Sequence, residues 1–103
     1  MKSKLELIKE AIVARKKLQF TYRNDQSNRT VYPHILYTGG NDAVMLDAYQ
    51  TDGYSASGTK FPQWKQFDVS QIKKVVISTE TFRKINSFNP KSVRYKNSIE
   101  VIK

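Results

Sequence analysis

The segment LQFTYRNDQSNRTVYPHILY, residues 18–37, decides the fold, because alternating hydrophobic residues lie on both sides of a polar stretch. Leu18, Phe20 and Tyr22 share one face of an extended chain at a period of two. The stretch NDQSN that follows favours a loop. Beyond it the chain resumes as a second strand, in which Pro33 has no N–H to donate and so indicates a sheet edge or a bulge. The segment therefore predicts two antiparallel strands joined by a hairpin loop.

On either side of this hairpin the sequence predicts one helix and three further strands. Ser3 and Glu6 form a capping-box pattern, and the hydrophobic residues after them keep helical spacing to about Lys17. The elements predicted beyond the hairpin are a tight turn at 38–42, strands at 43–50, 59–67 and 74–78, a short turn or single helical turn at 68–72 and, within 79–90, a brief helix before Pro90.

One helix followed by five short strands predicts a mainly β fold with one N-terminal helix. The expected form is a small five-stranded antiparallel barrel in which the helix covers one open end. A chain of 103 residues is long enough for one domain and too short for two ordinary ones. We expect the barrel and its helix in residues 1–80, and a basic C-terminal extension in residues 81–103.

The composition excludes several kinds of chemistry. The chain has no cysteine, which excludes disulfides, thiolate metal sites and cysteine nucleophiles. His34 is the only histidine, and no nucleophile motif accompanies it, so we expect a protein that is not an enzyme and has no cofactor. Asp42, Asp47 and Asp52 lie five residues apart, which matches no calcium loop, so they are interpreted as turn formers and surface acids and no metal is expected.

The hydrophobic runs are short. The longest, at residues 11–13 and 75–77, cannot form a membrane span or the core of a signal peptide. We therefore expect a soluble cytoplasmic protein.

The charge is strongly positive and unevenly distributed. The net charge is +9, of which +2 lies in residues 1–58 and +7 in residues 59–103. Such a balance favours a polyanionic partner such as nucleic acid or a nucleotide, although a solubilising surface with a basic tail has the same composition. The basic residues of the tail that would carry such binding are Arg83, Lys84, Lys91, Arg94 and Lys96.

The segment KFPQWKQF, residues 60–67, combines two lysines with three aromatic residues in one predicted strand. Nucleobases stack on exposed rings that lie beside cations. Alternation places Lys65 and Phe67 on one face of the strand and Trp64 on the other. Alternatively, Trp64 packs under the helix or the C-terminal tail, since tryptophan is usually largely buried.

The hairpin also brings Tyr22 and Arg29 together at its two stems, with Lys65 from the later strand beside them. This predicts a basic, aromatic cluster at one rim of the barrel. The residues predicted to bind a ligand are Tyr22, Arg29, His34, Trp64 and Lys65. Two alternatives to ligand binding stay open: Arg29 pairs with Asp25 or caps its own loop, and His34 is simply a strand residue on the polar face.

The chain resembles the WYL domain family over roughly residues 5–80, through the segments LIKEAIVARKKLQFTY, RTVYPHIL, VMLDAY and KQFDVSQIKKV in that order. The family's helical Ala-Ile pair and strand-ending tyrosine match Ala11, Ile12 and Tyr22, and its Arg-x-Val-x-Pro unit matches Arg29, Val31 and Pro33. The chain departs from the family at the Trp-Tyr-Leu triplet, which reads Val44-Met45-Leu46. It also departs at the Arg-x-Phe unit, which reads Lys65-Gln66-Phe67, and at the last basic position, which is Gln71.

The resemblance implies an Sm-like or SH3-like barrel. It also implies the sensing of a ligand, often nucleic acid or nucleotide, beside a helix-turn-helix domain of a bacterial transcriptional regulator. The single helix predicted before Leu18 cannot form a helix-turn-helix. If the chain is complete, we expect a sensing or binding module without its own DNA reader. The alternative is a protein-interaction or self-association module that forms a homo-oligomer through the strand edge indicated by Pro33.

Overall fold

The computed structural model describes residues 2–55, 58, 60–95 and 97–103. The elements are helix α1 (Lys4–Ala14) and strands β1 (Lys16–Tyr22), β2 (Arg29–Thr38), β3 (Val44–Gly53), β4 (Gln63–Asp68), β5 (Ile72–Thr81) and β6 (Ser98–Val101), with a 3-10 turn at Val69–Gln71 between β4 and β5.

Helix α1 begins at the predicted capping box. The Ser3 hydroxyl accepts a hydrogen bond from the Glu6 N–H, and the Glu6 carboxylate accepts one from the Ser3 N–H. The helix ends earlier than predicted, because Arg15 adopts a left-handed conformation with φ 54°. That conformation turns the chain directly into β1, which starts at Lys16.

The strands form one antiparallel sheet in the order β4-β3-β2-β1-β5, and β6 pairs with the second half of β2. The predicted mainly β fold with one helix is confirmed. The barrel is not, because the sheet has six strands and no ladder joins β4 to β5 in the described part of the chain. The sixth strand contains the segment SIEV, which is too short for a clear alternating pattern.

The predicted hairpin is present, with Leu18 opposite Val31 and Phe20 opposite Arg29. Strand β2 is central, since it pairs with β1, β3 and β6. Pro33 lies at a register shift in the β2-β3 ladder, between the parts of β2 that pair with β1 and with β6. Pro33 therefore marks a bulge, and the predicted sheet edge at this residue is wrong.

The core lies between α1 and one face of the sheet. The buried face of the helix, Ile8, Ala11 and Ile12, is fully excluded from solvent, as are Leu18 and Phe20 of β1. The period-two pattern of the first strand is thus confirmed.

The C-terminal segment covers the face of the sheet that carries Tyr32, His34 and Trp64, against which Phe82 and Phe88 pack. Phe82, Phe88 and Ile102 are buried in the same core cluster as the strands. The predicted helix at 79–90 is wrong, because β5 continues to Thr81 and the Ile85 N–H bonds to the His34 ring rather than to a helical carbonyl. Hydrogen bonds to the sheet thus take the place of helical ones.

Candidate ligand-binding site

The rim of the β1-β2 hairpin is organised by a buried arginine. Only 6% of Arg29 is exposed. Its Nε donates to Asp25 Oδ2 at 2.7 Å and its Nη2 to Asp25 Oδ1 at 3.0 Å, so the two planar groups meet in a bidentate pair. A third bond runs from Arg29 Nη1 to Gln50 Oε1 at 3.3 Å. The pairing with Asp25 left open by the sequence is confirmed.

Asp25 also fixes the loop, because its carboxylate accepts the Tyr22 N–H at 2.8 Å. Burial alone would raise the pKa of Asp25. The hydrogen bonds from Arg29 and Tyr22, with the guanidinium charge, outweigh burial and lower the pKa below its ordinary value. The polar loop therefore supplies Asp25 as the counter-ion of Arg29.

The Tyr22 ring stands at the centre of this rim. It meets the buried Phe67 ring edge to face at 5.0 Å, and its hydroxyl accepts the Asp68 N–H at 3.0 Å. The guanidinium carbons of Arg23 and Arg29 lie 5.1 and 5.5 Å from the Tyr22 ring centroid. The ring is therefore held by the core on one side and flanked by two cations.

A pocket of about 290 Å³ opens at this rim. Its lining residues are Tyr22, Arg23, Asn24, Asp25, Arg29 and Tyr54. Arg23 was not predicted as a site residue. It is exposed and adopts the left-handed conformation, with φ 54°, which a non-glycine side chain enters at a cost of about 1 kcal/mol. No sequence pattern signals that conformation for an arginine.

Lys65 lies on β4 on the same face as Phe67. Partial burial lowers the pKa of Lys65, and the nearby charge of Arg29 lowers it further. The two cations are thus close enough to repel each other. Tyr22 and Arg29 both line the rim pocket, whereas Lys65 is not among its lining residues and only its charge is coupled to that of Arg29.

His34 lies elsewhere, on the face of the sheet that the C-terminal segment covers. It is fully buried, so the alternative of a polar-face histidine is wrong. Its Nδ1 lies 2.7 Å from the Tyr32 carbonyl oxygen and its Nε2 accepts the Ile85 N–H at 3.1 Å, which fixes the neutral ring with its proton on Nδ1. Burial lowers the pKa of His34 to about 4, against a smaller raising effect of the Tyr32 carbonyl.

Trp64 contacts His34 on that same covered face. The ring centroids of Trp64 and His34 are 4.8 Å apart, and those of Trp64 and Tyr49 are 5.3 Å apart. The Trp64 indole N–H donates to Ser87 Oγ at 2.9 Å. Of the two packing partners considered for Trp64, the tail is the one observed. The five predicted site residues thus divide between two faces of the sheet.

Asp47 is buried on the covered side, so its interpretation as a surface acid is wrong. Its carboxylate oxygens accept hydrogen bonds from the Tyr37 hydroxyl at 2.8 Å and the Tyr95 hydroxyl at 2.6 Å. Burial raises the pKa of Tyr37 to about 12 and also raises that of Tyr95, and the Asp47 charge acts in the same direction on both. The sequence contains no local signal for these contacts.

The basic residues of the tail that the structure describes, Arg83, Lys84, Lys91 and Arg94, are all exposed. Lys96 lies outside the described residues. Within the described parts of the chain, no group of three or more metal-binding side chains occurs, and no helix has the length and hydropathy needed to cross a bilayer.

A family model of the WYL domain matches residues 3–77. The chain therefore belongs to the WYL domain family, a family of regulatory, ligand-sensing domains that are generally not catalytic. Comparison with curated proteins and with solved structures gave no significant match. The matched region contains the whole rim pocket and ends before the C-terminal segment.

Proposed function

We propose that the protein is a non-catalytic regulatory module whose rim pocket binds a nucleotide or a single-stranded nucleic acid. The observation that supports this proposal is the pocket beside Tyr22, where two guanidinium groups flank one ring and a second ring, Tyr54, lines the same space. Rings accept nucleobases and guanidinium groups accept phosphates, so this combination suits both parts of a nucleotide.

The two arginines have different roles in this proposal. The Arg29 guanidinium already donates hydrogen bonds to Asp25 and Gln50, so Arg29 forms part of the pocket wall and adds positive potential. Arg23 is exposed at the mouth and is the residue that meets phosphate. Lys65, whose charge lies near Arg29, extends the positive surface along β4.

The test is fluorescence anisotropy of a labelled oligonucleotide over a salt series. If about three to five phosphates are neutralised, the log–log slope is roughly −2 to −3.5, at about −0.7 per contact. Arg23→Gln and Lys65→Ala are each expected to flatten the slope by about 0.7. Lys9→Gln, on α1 and not among the residues that line the pocket, removes the same charge and should leave the slope unchanged.

Two outcomes contradict the rim site. If Arg83→Gln and Lys91→Gln flatten the slope while Arg23→Gln does not, the nucleic acid binds the tail. Charge substitutions are needed here because deletion of the tail would also remove the buried Phe82, Phe88 and Ile102. If no oligonucleotide or nucleotide binds at low salt, the pocket does not serve this ligand class.

The alternative is a self-association module, and one observation favours it. The sheet path ends in β5, where Val76 is 54% exposed. An apolar side chain on a terminal strand is a feature of strand-edge pairing between copies. Lys73 and Lys74, both exposed on the same strand, oppose this pairing because the lysines of two copies would repel each other. Absence of nucleic-acid binding together with a dimer in light scattering would select this alternative.

A further inference from the structure

A second concave site lies on the covered face, between β4 and the C-terminal segment. It is a cleft of about 210 Å³ lined by Trp64, Ser87, Phe88, Asn89, Ser92, Arg94 and Tyr95. This volume is below the roughly 300–1,000 Å³ of pockets for drug-sized ligands, so it suits a single ring system. All but one of the lining residues lie beyond the region that the family model matches.

The cation of the cleft is Arg94, whose side chain is 54% exposed. Its Nη1 lies 3.7 Å from Asp47 Oδ2, which is beyond hydrogen-bond length, and the Asp47 oxygens already accept two tyrosine hydroxyls. Among the described residues, no hydrogen bond of ordinary length reaches the Arg94 guanidinium. Asp47 thus attracts and orients Arg94 without saturating its donors.

Three of the residues that line the cleft are aromatic. Trp64 and Phe88 have centroids 5.8 Å apart with planes inclined by 31°, and Phe88 and Tyr95 have centroids 6.0 Å apart. Trp64 and Tyr95 are only partly buried, so both keep surface for a ligand. The same cleft therefore combines the partly exposed rings of Trp64 and Tyr95 with polar side chains and one planar cation.

We propose that this cleft binds a small planar aromatic carboxylate, with the ring against Trp64 and Tyr95 and the carboxylate on Arg94. A guanidinium matches a carboxylate in a bidentate geometry. A single arginine already offset by the neighbouring Asp47 suits one negative charge better than a phosphate dianion. The site is separate from the rim pocket, because the two share no lining residue.

The test uses the only tryptophan of the chain as its reporter. In ¹H–¹⁵N NMR the Trp64 indole N–H gives one cross-peak, and benzoate is expected to shift it saturably with a Kd on the order of 1 mM. Benzyl alcohol has the same ring without the charge and acetate has the charge without the ring. At the Trp64 cross-peak each should bind at least about tenfold more weakly, as should AMP, whose phosphate is a dianion and whose binding at the rim pocket is a separate event.

Arg94→Gln should weaken benzoate binding by about tenfold or more. Arg94→Lys, which keeps the charge but loses the planar fork, should give an intermediate Kd. Arg23→Gln, in the rim pocket, should leave benzoate binding unchanged. Thermal unfolding of each variant establishes that it is folded.

The proposal is overturned if benzoate leaves the Trp64 peak unmoved, if benzyl alcohol binds as well as benzoate, or if folded Arg94→Gln keeps full affinity. An AMP affinity above that of benzoate, measured at the Trp64 cross-peak, would overturn the assignment of the cleft to carboxylates. None of these results affects the oligonucleotide test, which reports on Arg23 and Lys65.

Discussion

The hairpin rim and the covered face each contain one buried acid, and the two acids are held in different ways. Asp25 pairs with Arg29, four residues along the chain, and with the Tyr22 N–H, three residues back. Asp47 is held by Tyr95, 48 residues away. The rim is thus a local structure within one loop, whereas the covered face depends on the C-terminal segment folding back over the sheet.

Because of this difference, mutations in the two regions should lower the free energy of unfolding by different amounts. Removal of a rim contact leaves a buried charge without its partner, whereas removal of a contact on the covered face loosens the attachment of the C-terminal segment. We expect the first kind of change to cost more.

The largest effect is expected for Asp25→Ala. The side chains of Asp25 and Arg29 are only 3% and 7% exposed, so the variant leaves a buried guanidinium without a counter-ion. The free energy of unfolding should fall by about 3 to 5 kcal/mol. Urea denaturation measures it.

The matched control is Glu10→Ala, which breaks the ion pair between Glu10 and Lys2. Both side chains of that pair are about half exposed, so the change in unfolding free energy should stay below about 1 kcal/mol. The double variant Asp25→Ala with Arg29→Met should recover much of the loss. If it is no more stable than Asp25→Ala alone, the buried charge is not the cause.

The second effect is a pH dependence of the covered face. The His34 pKa is lowered from 6.5 to about 4, so unfolded chains bind a proton that folded chains do not. The stabilisation is complete above pH 6.5 and is lost as the pH falls towards 4, by about 3 kcal/mol in total. The measurement is urea denaturation followed by Trp64 fluorescence across this range.

Charged and titratable groups around His34 include Lys84, whose charge opposes protonation, and Tyr32, whose carbonyl favours it. His34→Gln keeps an acceptor for the Ile85 N–H but does not titrate, so its stability should vary much less between pH 6.5 and 4. Asp25 has its pKa lowered from 3.8, so the rim should lose its stabilisation only below that value. If the unfolding free energy varies equally with pH in wild type and His34→Gln between pH 6.5 and 4, His34 is not the source of the pH dependence.

The smallest effect is expected for Tyr95→Phe. It removes one hydroxyl donor from Asp47 and leaves Tyr37 and the Arg94 charge in place. Because Tyr95 is partly exposed, the loss of unfolding free energy should be about 1.5 kcal/mol, near the lower limit for hydrogen bonds to charged groups. Differential scanning calorimetry gives the value.

Tyr49→Phe is the control for this hydroxyl, since Tyr49 is also half-buried on the covered face but its hydroxyl has no hydrogen bond within the described residues. Its effect should be under about 0.5 kcal/mol. If Tyr95→Phe lowers the free energy of unfolding by no more than this, the hydrogen bond from Tyr95 to Asp47 does not stabilise the fold.

Residues 2–81 were largely predictable, because their signals are local. The capping box placed the start of α1, the period of two placed β1, and the helical turn at Val69–Gln71 followed from its polar sequence. The end of α1 was missed because a left-handed Arg15 follows no composition rule. Arg23 was missed at the pocket for the same reason.

The candidate site was predicted in part. Tyr22 and Arg29 are the two stems of one hairpin, so their meeting followed from the loop between them, and alternation correctly separated Lys65 from Trp64. His34 could not be placed, because its burial depends on Phe82, Ile85 and Phe88 arriving from a distant segment. No period or turn signal in that segment predicts where it will dock.

What the sequence determined by itself is therefore the family, the helix and the approximate places of the first five strands, since the helix and strand patterns depend on residues a few positions apart. The structure chose the Asp25–Arg29 pairing among the alternatives that the sequence left open. The tertiary structure alone decided that β6 pairs with β2, that His34 and Asp47 are buried, and that Trp64 and Arg94 line a cleft. These contacts join residues 23 to 66 positions apart. Contacts between residues so far apart form only when the chain folds, through burial and hydrogen bonding. They produce no periodic pattern in the sequence from which they could be predicted.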